Sequence, residues 1–233
     1  MRDALRRALS CAAVYRVLAA AFAYPQPGHA AAVARAAGAA LRRAPATMRP
    51  ALAELARTSD GLDDDVLAEQ YVTLFDGQVA CSPYEGAYGL PQMSGKAMQL
   101  ADIAGFYAAF GMTASGRQPD ADDHIGAELE FMSALSLKEA WARAQQDAEG
   151  AAIARDAQRA FFDEHLGRWG DAFAARVLNA APAGLYAPAA RLLSAWLRAE
   201  CERLAVSPVP LEAHVASDEG ALTCPMADEE GRK

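Results

Sequence analysis

The chain has 233 residues, of which 53% are hydrophobic and 22% charged, enough apolar content for a sizeable buried core. Thirty acids against 22 bases leave a net charge of −8 and a pI near 5.0, which argues against nucleic acid or anionic lipid as the main partner and leaves room for a basic one. The four cysteines (Cys11, Cys81, Cys201, Cys224) are far apart and form no CxxC pair, so reduced thiols are expected rather than a disulfide framework or a zinc site.

The N-terminus, "MRDALRRALSCAAVYRVLAAAFAYP", has basic residues ahead of an apolar run, but Arg16 divides that run. It reads as an amphipathic helix from about Arg2 to Ala23, with Leu5, Leu9, Leu18 and Phe22 close to one stripe, rather than as an export signal. "YPQP" stops it. Further helices are expected over about Ala30–Arg43 and Thr47–Thr58. "SDGLDDD" then forms a turn and an acidic helix start, suited to the positive end of the helix dipole. In the helix that follows, "DDVLAEQYVTLF", the residues Leu67, Tyr71, Leu74 and Phe75 form the apolar face.

The stretch "LFDGQVACSPYEGAYG" interrupts this pattern, because its glycines and proline do not fit a regular helix. Helical sequence returns in "QMSGKAMQLADIAGFYAAFGM", ending at Gly111. A polar loop leads to a long helix over about Asp122–Gln146, and three more follow at about Ala151–His165, Gly167–Asn179 and Ala187–Ala205. Residues 207–233 carry prolines and many acids and read as an extended or mobile acidic tail. No alternating strand pattern and no apolar run of about 20 residues occurs, so the expected class is all-α, one irregular bundle of about nine helices over residues 1–206, with no membrane span.

Two stretches carry chemistry. In "DADDHIGAELEFM", His124 and Glu128 stand four apart, a spacing that allows a metal or acid–base pair. Zinc catalysis wants three protein ligands and no HExxH motif is present, and a calcium loop starting at Asp120 would have Ile125 where glycine is needed. A helix start with acids at the dipole is the plainer reading, and no serine- or cysteine-nucleophile motif or phosphate loop accompanies it. In the other stretch, Tyr84, Tyr88 and Glu85 fit either a structural crossover or a recognition loop whose aromatics give rigid contact area.

Together the two stretches resemble the TorD/DmsD/NarJ family of redox-enzyme maturation chaperones. One family pattern stands as Tyr71, Leu74, Phe75, Gly77, Pro83, Gly86 and Tyr88; the other as Asp120, Asp122, Asp123, His124, Glu128, Leu129 and Met132. Asp120 replaces the usual glutamate, Asp122 the usual proline and Gly86 the usual small hydroxyl. "CSPYEGAYG", "LADIAGFYAAFGM", "HIGAELEFMSALSLKEAW" and "TCPM" look most like the branch serving dimethylsulfide- or ethylbenzene-type molybdenum dehydrogenases. The resemblance implies a TorD-like, cytoplasmic, non-enzymatic chaperone, monomer or dimer, without cofactor or metal. Its implied partner is the apo catalytic subunit of a molybdopterin-containing oxidoreductase, with its twin-arginine leader. On that reading a groove runs between the loop and the start of the helix near residue 122. Tyr71, Phe75, Tyr84 and Tyr88 receive apolar residues of the leader there, and Leu74 and Pro83 belong to the same peptide-binding set. Glu85, Asp123 and Glu128 meet its arginines, and His124 orients the acids or senses pH near its ordinary pKa of about 6.5. The rival reading is a metal- or nucleotide-dependent hydrolase using His124 and Glu128.

Overall fold

The computed structural model describes residues 2–76, 81–89, 95–112, 122–180 and 184–211. Among them are nine α-helices: α1 (Arg2–Phe22), α2 (His29–Ala40), α3 (Arg49–Ser59), α4 (Asp64–Phe75), α5 (Gly95–Ala109), α6 (Ile125–Ala144), α7 (Ala148–Phe161), α8 (Gly167–Ala180) and α9 (Tyr186–Leu204). No strand accompanies them among the described residues, only an isolated antiparallel bridge between Tyr84 and His124. The all-α expectation holds. No helix among the described residues is long and apolar enough to cross a membrane.

Helix α1 is the axis of the bundle, packed mainly against α6 and also against α2 and α9. Small residues permit the α1–α6 approach: Ala8 and Ala12 are buried, and the Ser133 hydroxyl donates to the Ala12 carbonyl at 3.0 Å. The buried side of α1 carries Cys11, Val14, Tyr15, Leu18 and Phe22, whereas Leu9 on the expected stripe is exposed. A helix with neighbours on several sides buries more than one stripe, and periodicity alone does not say which residues stay outside. The apolar face read for α4 is buried throughout, at Leu67, Tyr71, Leu74 and Phe75. Phe75 meets Phe22, Phe173 and Tyr186 at ring separations of 6.4, 5.9 and 5.1 Å, which ties α4 to α1, α8 and α9.

Three boundaries differ from the sequence reading. Helix α6 starts at Ile125 with His124 as its cap, so Asp122 and Asp123 precede it. Helices α7 and α8 are joined without a turn by a π-helical segment, Phe162–Leu166, that faces His165 inward. Residues 206–211 run along α8, with the Leu211 amide on the Arg168 carbonyl at 2.7 Å and Arg168 Nε on the Val209 carbonyl at 3.2 Å. Gly167 makes room for them, since a Cβ there would lie 2.6 Å from both the Phe162 carbonyl and Pro208. The expected helix end at Gly77, the motif residue Asp120, the tail from residue 212 and Cys224 lie outside the described residues.

A buried polar network locks α1, α6, α7 and α9 together. Tyr15 donates to Glu200 at 2.7 Å, and Arg203 binds both Glu200 oxygens at 2.6 Å. Arg203 also donates to Gln158 at 2.8 Å, and Gln158 in turn to Glu139 at 2.8 Å. The Arg203 and Glu200 side chains are 12% and 1% exposed, so removing the guanidinium strands a buried carboxylate. Arg203→Met is expected to cost about 3–5 kcal/mol in denaturant unfolding, and adding Glu200→Gln to recover part of that loss.

Candidate functional site

Residues 81–84 are not helical, so their backbone groups need partners elsewhere. The Cys81 amide donates to the Leu74 carbonyl at 3.1 Å, closing the end of α4, while its side chain is fully buried and burial raises its thiol pKa. The extended Tyr84 then bridges the extended His124, just ahead of a single 3-10 turn at Glu85–Ala87 and of α6. The Ile125 amide donates to the Pro83 carbonyl at 2.8 Å, and the Glu85 amide to the Asp123 carbonyl at 2.9 Å. Asp123 adds a third tie by accepting from the Gly86 amide at 3.0 Å. A Cβ on Gly86 would stand 3.1 Å from that carboxylate oxygen, which explains a residue without a side chain here. The two sequence motifs are therefore stitched directly to one another, and no groove separates them along this seam.

The acids expected to face a partner point inward. Glu85, Asp123 and Glu128 are 1%, 2% and 0% exposed. Glu85 pairs with His165 Nδ1 at 3.1 Å, and Glu128 accepts from Trp169 Nε1 at 3.1 Å. Burial, then the neighbouring Glu85 charge, push the Glu128 carboxyl well above its ordinary pKa. Its Oε1 is buried with no hydrogen-bond partner, which disfavours the charged form further. Burial also raises Asp123, with the Gly86 amide and Lys96 opposing the shift. Charges so enclosed are not available as an arginine-binding wall in this conformation; they hold loop, helix and π segment together.

His124 also differs from the expectation. Its Nδ1 accepts from the Gly126 amide at 3.0 Å, capping α6, and its Nε2 lies 3.2 Å from the Tyr71 hydroxyl. That network assigns the proton to Nε2. Burial lowers its pKa to about 4, so it is neutral near pH 6.5 and does not sense pH there. Its partners and those of Glu128 are different groups, so the structure does not assemble them as a metal or acid–base pair.

Of the other expected site residues, Tyr71, Leu74, Phe75, Pro83 and Tyr88 are buried. Tyr88 packs on Trp169 at 5.1 Å and donates to the Ser82 carbonyl at 2.9 Å. Tyr84 is half-buried against His124 at 5.3 Å, and Tyr24, 49% exposed, packs edge-on to Tyr71 at 5.1 Å. An aromatic edge thus runs Tyr24–Tyr71–His124–Tyr84, with exposed Val72, Glu69 and Asp76 on the same helix or just beyond it. The sequence reading missed Tyr24, His165 and Trp169; the last two lie 80 and 41 residues from their carboxylate partners, and no local spacing signals them.

His124→Asn keeps a capping side chain but removes the titration. A histidine whose pKa is lower folded than unfolded leaves the unfolded state binding more protons, so its contribution is retained above pH 6.5 and lost as pH falls to about 4. Thermal unfolding should show a shallower acid-side decline between about pH 6.5 and 4 for the variant than for the parent; parallel profiles would contradict this assignment.

Residues 41–175, more than half of the chain, match the family model described as nitrate reductase delta subunit. The chain is 34% identical over 86 residues to the perchlorate reductase assembly chaperone protein of Dechloromonas aromatica (strain RCB), covering 37% of each chain. It is 31% identical over 121 residues to the selenate reductase assembly chaperone protein of Thauera selenatis, covering 51% of this chain and 61% of that one. Against the chaperone protein TorD of Aeromonas salmonicida (strain A449) it is 29% identical over 168 residues, 68% of this chain and 72% of the relative. The matched stretches thus span about a third and about three-fifths of the first two relatives. With the fold and the two joined motifs, the match places the chain in the nitrate reductase delta subunit family, of the TorD/NarJ type.

Proposed function

We propose that this protein is a dedicated assembly chaperone. It binds the immature, cofactor-free catalytic subunit of a molybdopterin-containing oxidoreductase in the cytoplasm and keeps it receptive to cofactor insertion before export. The observation that carries this reading is the family match, joined to three relatives whose names describe chaperones. The site supports a binding role: its polar groups are engaged in shaping the loop–helix junction, and Tyr24 with the half-buried Tyr84 brings aromatic surface to the outside beside it. The motif resemblance favours a dimethylsulfide- or ethylbenzene-type dehydrogenase as the client.

The client's twin-arginine leader lies along that edge in this reading. Tyr24, Tyr84 and Val72 meet its apolar residues, while Glu69 and Asp76 face its arginines. Behind them Tyr71, Leu74, Phe75, Pro83 and Tyr88 hold the surface in place, and Glu85, Asp123, His124 and Glu128 fix the seam. Charge reversal at buried Glu85 or Asp123 would perturb folding as well as binding, so the half-buried Tyr84 and exposed Asp76 make the cleaner test.

A tagged copy expressed in its native cell should recover an immature molybdenum oxidoreductase subunit carrying its leader. Tyr84→Ala combined with Asp76→Lys should lower binding of the isolated leader peptide by about 10-fold or more, as expected for loss of an aromatic and a charged anchor. Recovery of no such subunit would contradict the chaperone reading. Unchanged peptide affinity would contradict the edge as its site.

A further inference from the structure

His165 has a ring nitrogen that the fold does not use. It sits in the π segment between α7 and α8 with its side chain 4% exposed. Nδ1 is engaged by Glu85 at 3.1 Å. Nε2 is buried and makes no hydrogen bond, although Asp102 Oδ2 of α5 lies 3.2 Å away. The carboxylate of the preceding residue, Glu164, completes a group in which one ligand atom from each of Asp102, Glu164 and His165 lies within 4.8 Å of the others. A neutral imidazole that donates Nδ1–H to Glu85 turns a lone pair from Nε2 towards a carboxylate oxygen. Two acceptors at that distance repel unless a proton or a metal cation lies between them.

We propose that Asp102, Glu164 and His165 form a binding site for one divalent transition-metal cation of the zinc class. One imidazole nitrogen and two carboxylate oxygens are a donor set that Zn2+ accepts, whereas Mg2+ and Ca2+ prefer oxygen ligands alone. Zinc–ligand distances of about 2.0–2.2 Å put the ligand atoms about 3–4 Å from one another. The exposed side chains of Asp102 and Glu164 reach that spacing by rotation, and the same exposure gives the ion a way in. Glu85 supplies what a metal-bound histidine needs on its far side, a carboxylate that accepts the other N–H and fixes the ring. A bound ion would fasten α5 to the α7–α8 joint and, through Glu85, to the loop of the paired motifs. The site is independent of the leader-binding edge and stands whether or not the client is an oxidoreductase.

The competing state is a doubly protonated His165 between Glu85 and Asp102, with no metal. Chelator-treated full-length protein titrated calorimetrically with ZnCl2 distinguishes them. One saturable site per chain is expected, not displaced by millimolar Mg2+, with affinity falling by at least about 10-fold in Asp102→Asn and in Glu164→Gln. Both substitutions sit on exposed side chains and should leave thermal unfolding of the metal-free protein nearly unchanged. Co2+ in place of Zn2+ should give visible d–d bands without a thiolate charge-transfer band. Absence of a saturable site, affinity unchanged in both variants, or thiolate bands from the cysteines would each overturn the proposal.

Discussion

The architecture near the site depends on one constraint: a non-helical segment in a helical bundle must find partners for its backbone. Helices satisfy their own amides and carbonyls, so few elements have any to spare. The stretch from Pro83 to Glu85 finds them in Asp123 just ahead of α6 and in Ile125, its first residue, through the Ile125–Pro83 and Glu85–Asp123 hydrogen bonds. Much follows from that pairing. It sets where α6 can start, turns His124 into a cap that also reaches Tyr71, and carries Glu85 inward beside Glu128. It also leaves Tyr84 at the rim, edge-on to the His124 ring.

Buried acids would be costly if they stood alone, and here each is matched to a group from another part of the chain. Glu85 comes from the loop, Glu128 from α6, His165 from the π segment and Trp169 from α8. The cluster is thus a joint between four elements. Its members depend on one another, because moving the loop would separate Glu85 from His165 and leave both buried polar groups without their partner. A joint of this kind holds the surface around Tyr84 in one shape. The Glu200–Arg203–Gln158–Glu139 network does a comparable job for α6, α7 and α9.

The sequence reveals the helices and not the joint. The apolar face of α4 is legible because Leu67, Tyr71, Leu74 and Phe75 recur at helical spacing and one face is indeed covered. The start of α6 is displaced by three residues from its expected position because Asp122 and Asp123 resemble first-turn acids, while Asp123 in fact spends its carboxylate on the Gly86 amide. Glu85, Asp123 and Glu128 read as surface acids because unpaired acids belong in water; the Trp169 and His165 side chains that change this are remote in sequence. The same reasoning explains why His124 and Glu128 attract a metal reading that geometry does not support. The histidine with a spare nitrogen, His165, has one carboxylate beside it in sequence and another more than sixty residues away, which no spacing rule detects.

Site-resolved hydrogen exchange tests most directly the claim that the two motifs form one seam. The amides of Glu85, Gly86 and Ile125, each hydrogen-bonded across it, should exchange slowly and in step with the buried turns of α1 and α6. Exchange of those three amides at rates typical of an open loop, while α1 and α6 stay protected, would contradict the account.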